Sequence, residues 1–515
     1  MRSNAPGECQ SVVVPGITAP SSVACVRSLA RRGIRTIVVS SDERTPAAKS
    51  RYCDEAVVVP SPYEDLLAYR DALQALAMRP DVRTIIPVRE PDVYVLSKYR
   101  DEFSEHIGTP WPEMDTLARA QDRVELFEAA ANAGVGAPET VLCTELPESG
   151  EWIVKPRYSV LGDEYLDRYG PETCIAPPST RYLETESDGT APGTVAAAAA
   201  TAGATATTST TGTTRTAIDV NESVEDGSSN ADAAVDSTGE RVSTTSSTVT
   251  ASSTATESTA SSSSSTSTTE TSASATTNTN AGTSTNTNTN TNTNANSGTA
   301  DAPSLETLRT EMGHTPIRQE YVPTTDEYGF FALYDRGEPV ATFQHRQRRG
   351  YSYAGGPSSY RESVWIPELE RAGRALLDHL EWHGLAMVEF LRDEETGEFK
   401  LMEVNPRFWS SLPFSVQTGA DFPYYYWLLA GDERERIDHD YEVGIGGHLV
   451  RGELLHLYSI LTADVPLVEK PPFRTALWDI CRSMATERRC DYLSRDDPRP
   501  FVRDLANAAT EFDPR

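Results

Sequence analysis

Lysine is the residue this chain nearly does without. Of its 46 basic residues only five are lysine (Lys49, Lys98, Lys155, Lys400 and Lys470), and the formal net charge is -30 over 515 residues. Such a charge argues against nucleic acid and anionic membranes as primary partners, since both carry the same sign. It suits a protein kept hydrated in a high-salt cytoplasm, so a halophilic source is expected. Cys-x-x-Cys pairs are missing too. The seven cysteines, at 9, 25, 53, 143, 174, 481 and 490, are scattered with no histidine at zinc spacing, which reads as reduced structural thiols. No uninterrupted apolar run approaches membrane-spanning length, and the first residues lack the apolar core of a signal peptide. A soluble, cytoplasmic chain with no membrane partner is therefore expected.

One long segment lacks the means to fold. Between Ser187 and Ala300 there is no aromatic residue and hardly a large aliphatic one. Thr, Ser, Ala and Asn dominate, ending in a Thr-Asn repeat. Such a stretch cannot bury enough apolar surface to offset its chain entropy, so an insert at 187–303 is expected to be disordered. A glycosylated stalk is the alternative that the composition allows.

The remainder alternates between strand and helix signals. Ser11–Pro15, Thr36–Ser40, Ala56–Val59 and Thr84–Val88 are short β-branched runs. A helical face through Val23, Val26 and Leu29, closed by Gly33, lies between the first two. Strand, helix, strand at this spacing predicts a parallel sheet. The turn Pro15–Pro20 lacks the three spaced glycines of a dinucleotide fingerprint, so NAD is not expected. Arg89–Asp92, just past a strand's C-terminal end, sits where such sheets bind ligands and reads as a loop near substrate.

The richest stretch is Met387–Phe390 with Leu401–Arg407. Two apolar runs flank a polar, glycine-containing connection, which predicts a hairpin. Alternation along a strand puts Glu403 and Asn405 on one face, and pairing in register adds Glu389 to it. Two carboxylates and a carboxamide are hard oxygen ligands that suit Mg²⁺ sharing its shell with water and phosphates. Acids on an exposed edge hairpin are common, but the apolar neighbours here predict strands with a buried face, where an unpaired carboxylate is costly.

Glu389 followed by Glu403-Val404-Asn405-Pro406-Arg407 resembles the metal-binding end of the ATP-grasp superfamily, and further motifs follow the same order from about Ser11 to about Gly431. The resemblance is to carboxylate–amine ligases, here of haloarchaeal type with a low-complexity insert. It implies an α/β (α+β) fold: a Rossmann-like pre-ATP-grasp domain over 1–115, the first part of an ATP-grasp fold over 116–186, the insert over 187–303, the second part with the metal site over 304–435, and a mixed C-terminal region over 436–515. The cofactors implied are ATP and Mg²⁺, with Mn²⁺ an alternative, and the partners a small-molecule carboxylate and an amine. A homodimer is compatible with it.

Residue by residue, the resemblance implies metal ligation by Glu389, Glu403 and Asn405. Lys155, ending the apolar run Trp152–Val154, would meet nucleotide phosphates as a point charge. Arg123 stands where the family has a lysine, and otherwise decorates a solvated helix. The run Ile317–Pro323 resembles the adenine hinge, with the Glu320 carbonyl and the Val322 N–H facing the base and Glu327 (or Asp326) the ribose. Arg346 or Arg348 would hold the transferring phosphoryl group and Arg407 a substrate carboxylate or acyl phosphate, with Phe408–Ser411 lining the pocket. The segment Tyr158–Glu164, where relatives carry a glycine-rich phosphate lid, has one glycine and two acids. The activity implied is ATP-dependent ligation through an acyl phosphate. A nucleotide-binding protein without turnover and a scaffold acting through the insert are the other readings.

Overall fold

The computed structural model describes residues 10–147, 150–185, 193–195, 304–324, 326–465 and 468–511. It falls into two units, and the second, Thr208–Ser297, lies wholly outside the described residues. Of the 187–303 segment expected to lack structure, residues 193–195 form a strand; the rest lies outside the described residues.

The first sheet is parallel throughout, as its β-branched runs require. Strands β1 (Ser11–Pro15), β2 (Arg35–Ser40), β3 (Glu55–Val58) and β4 (Val82–Ile85) lie in the order β3-β2-β1-β4. β1 is buried at every position, consistent with a strand covered on both faces. Helices α1 (Ser21–Ala30), α2 (Leu66–Ala77), α3 (Glu90–Lys98) and α4 (Arg100–Ser104) belong to this part. Arg89–Asp92, expected as a loop, is the start of α3. The Asp92 carboxylate accepts from the backbone N–H of Val88 and Arg89 and pairs with the Arg89 guanidinium. Helix α5 (Met114–Gln121) runs across the boundary expected at 115/116, and α6 (Arg123–Asn132) follows.

Two antiparallel sheets make up the next part. One contains β5 (Thr140–Leu142), β6 (Gly150–Lys155), β9 (Arg181–Thr185), β10 (Gly193–Val195) and β11 (Ile317–Glu320), in the order β10-β9-β6-β11-β5. A small ribbon of β7 (Leu161–Gly162) and β8 (Cys174–Ile175) lies between β6 and β9 in sequence, and α7 (Leu305–Met312) precedes β11. The other sheet joins β12 (Glu327–Asp335), β13 (Glu338–Ser352), β14 (Gly355–Ser363), β15 (Gly384–Arg392), β16 (Phe399–Asn405) and β17 (Gly446–His448), in the order β16-β15-β12-β13-β14-β17.

Helix α8 (Pro367–His379) covers one face of this last sheet. Its Leu369, Leu376 and Leu377 are buried with Phe330, Val388, Phe390, Leu401 and Val404. Gly373 lets helix and sheet meet closely: a Cβ there would come within 2.2 Å of the Phe330 ring. Helices α9 (Leu412–Gln417), α10 (Phe422–Leu429), α11 (Val450–Thr462), α12 (Phe473–Thr486) and α13 (Arg499–Glu511) complete the chain. The end of the chain returns to its beginning, where Asp497 and Arg27 form a buried ion pair at 2.9 Å. Among the described residues no helix is long and apolar enough to cross a membrane.

Candidate functional site

β15 and β16 pair with Glu389 opposite Glu403 and Met387 opposite Asn405. The intervening Val388 and Val404 point the other way, into the core beneath α8. This alternation leaves the polar head groups together. Asn405 Nδ2 donates to Glu389 Oε1 at 3.2 Å and to Glu403 Oε1 at 3.1 Å.

Two cations arrive from the preceding sheet and helix. Arg123, the first residue of α6, donates from Nη2 to Glu403 Oε2 at 3.2 Å and from Nη1 to the Pro156 carbonyl at 2.9 Å. Lys155 ends β6, and its Nζ donates to Gln319 Oε1 on the neighbouring β11 at 2.9 Å. A third cation comes from the segment after β16: Arg407 Nη2 donates to Asn405 Oδ1 at 2.9 Å and Nε to Glu90 Oε1 at 2.8 Å.

The electrostatics divide the two carboxylates. Burial, the facing Glu403 and nearby Glu327 push the Glu389 carboxyl well above its usual range. Burial acts on Glu403 in the same sense, but Arg123 and Lys155 outweigh it and hold this carboxyl low. Burial and the neighbouring Arg123 lower the Lys155 ammonium to about 8. Two carboxylates forced this close favour an added cation and fit a hard divalent ion completing its shell with non-protein oxygens; the Asn405 carboxamide joins them as a ligand with its oxygen turned from Arg407 toward the carboxylates. Among the described residues no group of three His, Cys, Asp or Glu side chains forms a closed metal site.

The remaining predicted residues fall in three places. Glu327 opens β12 on the acidic face, and its carboxyl is raised to about 8 by burial. It accepts from Gln347 Nε2, which also donates to the Gly356 carbonyl at 3.1 Å. Glu320 ends β11, with its N–H on the Glu139 carbonyl at 2.9 Å, and Val322 is buried in the link from β11 to β12.

Arg346 and Arg348 are not brought to the cluster. Arg346 stands opposite Tyr328, which stands opposite Phe390, whereas Glu389 is opposite Gly329 and Gly329 opposite His345. Arg346 is therefore on the other face of the sheet, paired with Asp326. Arg348, where the β13–β14 register shifts, pairs with Glu362 at 2.8 Å. It lines a cleft of about 580 Å³ with Arg349, Tyr360, Arg482 and Glu487. Another cleft, of about 430 Å³, lies between α6 and β5. Neither is lined by Glu389, Glu403 or Asn405.

Phe408 and Trp409, expected to line a pocket, are fully buried in the core, and Ser411 is buried on His345 Nε2 at 2.9 Å. The segment after Lys155 is docked on α3. Asp163 accepts from Lys98 Nζ at 2.5 Å and from the Tyr94 hydroxyl at 2.9 Å, and Glu164 lies 3.2 Å from Lys98. Gln319, Gln347 and Gln121 were not singled out by sequence reasoning; neutral amides carry no pattern that separates them from surface glutamines.

No family model and no curated protein matches the chain. Several solved structures are similar to it in fold. One is the biotin carboxylase domain dimer of 2-oxoglutarate carboxylase from Hydrogenobacter thermophilus, in complex with MgADP, ADP and bicarbonate. It is 12% identical with a TM-score of 0.47, over 85% of this chain and 73% of that one. N5-carboxyaminoimidazole ribonucleotide synthetase from Thermotoga maritima is 11% identical with a TM-score of 0.42, over 85% and 79%. An ADP complex of the same kind of synthetase, purK, is 11% identical with a TM-score of 0.48, over 95% and 100%.

Proposed function

We propose that the chain is an ATP-dependent ligase of ATP-grasp type that joins a small-molecule carboxylate to an amine through an acyl phosphate. The observation that carries this reading is the convergence of Glu389, Glu403 and Asn405 with Lys155, Arg123 and Arg407, drawn from four separate segments of the chain.

Glu389, Glu403 and Asn405 would hold Mg²⁺ (or Mn²⁺), which would neutralise phosphate charge during transfer. Lys155 and Arg123 would bind phosphate oxygens, Lys155 as a point charge and Arg123 through planar donors. The link at Glu320–Val322 would take the adenine edge through its backbone, and Glu327 would accept from the ribose. Arg407 would orient the carboxylate under attack or its acyl phosphate. No side-chain nucleophile is required; the chain supplies positioning and charge. A cytoplasmic, halophilic setting and a homodimer belong to the same reading.

A second reading, nucleotide binding without turnover, is favoured by one observation: the segment after Lys155 is pinned to α3 through Asp163. The test is thermal melting of the whole chain in high KCl with Mg²⁺ and ATP, for wild type and Glu403→Ala. The expected result is a Mg²⁺-dependent rise in Tm that the variant loses, followed by phosphate release stimulated by a carboxylic acid and an amine. No rise at saturating nucleotide overturns the ATP assignment. A rise with no release across a broad panel of acids and amines moves the conclusion to the second reading.

A further inference from the structure

Glu90 opens α3 and is 317 residues from Arg407 in sequence, yet the two meet at 2.8 Å. Glu90 Oε2 accepts from Gln121 Nε2, also at 2.8 Å. That amide is oriented in turn, because Gln121 Oε1 accepts from the Tyr165 hydroxyl at 2.6 Å, so its NH₂ must face Glu90. The chain of contacts continues beyond Arg407. With Nε held by Glu90 and Nη1 on the Phe408 carbonyl at 3.2 Å, the guanidinium plane is turned so that Nη2 meets Asn405 Oδ1. Asn405 then presents Nδ2 to both Glu389 and Glu403.

We infer that Glu90 is a positioning residue of the cation site: it compensates the Arg407 guanidinium and holds it in place beside Glu389, Glu403 and Asn405. The inference rests on reading Glu389, Glu403 and Asn405 as the cation ligands. Without Glu90 the Arg407 charge loses its counter-charge and its aim beside a site that must accept a divalent cation. Partners one step outside a ligand set commonly change metal affinity by about 10–100-fold.

The experiment measures Mn²⁺ affinity of the full chain, by the EPR signal of free Mn²⁺, for wild type, Glu90→Ala, Arg407→Ala and the double variant. Glu90→Ala is expected to bind Mn²⁺ about tenfold or more weakly. The double variant is expected to return to within about threefold of wild type, because the unpaired charge is gone with its partner. A merely structural contact would not give that recovery. If Glu90→Ala melts too low to measure, Glu90→Gln keeps one acceptor for Arg407 and should weaken Mn²⁺ by a smaller factor that the Arg407→Ala background abolishes. Glu90→Ala within about twofold of wild type, or a double variant as weak as Glu90→Ala, overturns the inference. Failure of the underlying reading looks different. Wild type that binds Mn²⁺ but shows no ATP-dependent rise in Tm rejects the nucleotide site and leaves the Glu90 result standing, while wild type that binds no Mn²⁺ overturns both.

Discussion

Glu389 and Glu403 face each other across β15 and β16, and the Asn405 amide lies between them, 3.2 Å from one carboxylate and 3.1 Å from the other. A single NH₂ group thus does part of the work of a counter-ion between two acids, of which Glu389 is pushed up by burial and by the facing Glu403.

Replacing that amide by a carboxylate tests the arrangement directly. Asn405→Asp removes the donor and adds a third acid where two already repel. With EDTA present the variant is expected to lose about 1–3 kcal/mol, a fall in Tm of several degrees. Added Mg²⁺ should restore most of the loss, because an extra anionic oxygen is an asset once a cation is held. Melting curves with EDTA and with Mg²⁺ read both terms. A loss that Mg²⁺ does not reduce would mean that the three residues do not share one cation.

The Lys155 ammonium supplies a pH dependence with a definite sign. Burial and Arg123 bring it to about 8, so the free protein carries the charge below that pH and loses it above. A lysine that meets phosphate binds in its charged form. The dissociation constant for MgATP is therefore expected to be flat from about pH 6.5 to 7.5 and to rise above pH 8, approaching about tenfold per unit. Lys155→Arg should flatten that rise within the same range, because a guanidinium stays charged. Nucleotide titrations at five pH values, in constant high salt, check it. A wild-type curve that stays level to pH 9.5 would remove Lys155 from the phosphate contacts.

Much of this site was legible because its logic is local. The hairpin from Glu389 to Asn405 follows from alternation and a polar turn, and Lys155 stands out because the chain is so poor in lysine. The parallel sheet was legible for the same reason, as four β-branched runs at regular spacing. What sequence could not show depends on parity and on distance. Gln344-His345-Arg346-Gln347-Arg348-Arg349 offers basic residues to both faces of β13, and only the pairing of Tyr328 with Arg346 decides that Arg346 faces away from the acids. Glu90 finds its partner across 317 residues, which no periodicity reports. Phe408 and Trp409 failed for a third reason: an apolar pair after a metal motif reads equally as pocket or core, and here it is core.

The docking of the segment after Lys155 yields the last prediction. Asp163 is held by Lys98 and Tyr94 on α3, and both charged side chains of that pair keep part of their surface in solvent. Tyr165, two residues on, stacks on Tyr158 with ring centroids 5.0 Å apart and holds Gln121, so this segment also supports the Glu90 chain of contacts. Lys98→Ala leaves Asp163 the Tyr94 hydroxyl and removes a partner of Glu164. Global stability should fall by no more than about 1 kcal/mol, because the pair is near the surface and screened by salt. Local opening should change more than global stability, because the Asp163–Lys98 pair ties this segment directly to α3. Hydrogen exchange over 158–166 is expected to accelerate about 3- to 10-fold in the variant, and in wild type to accelerate when KCl is raised from low to molar concentration. Unchanged exchange in Lys98→Ala would show that the aromatic contacts alone hold this segment on α3.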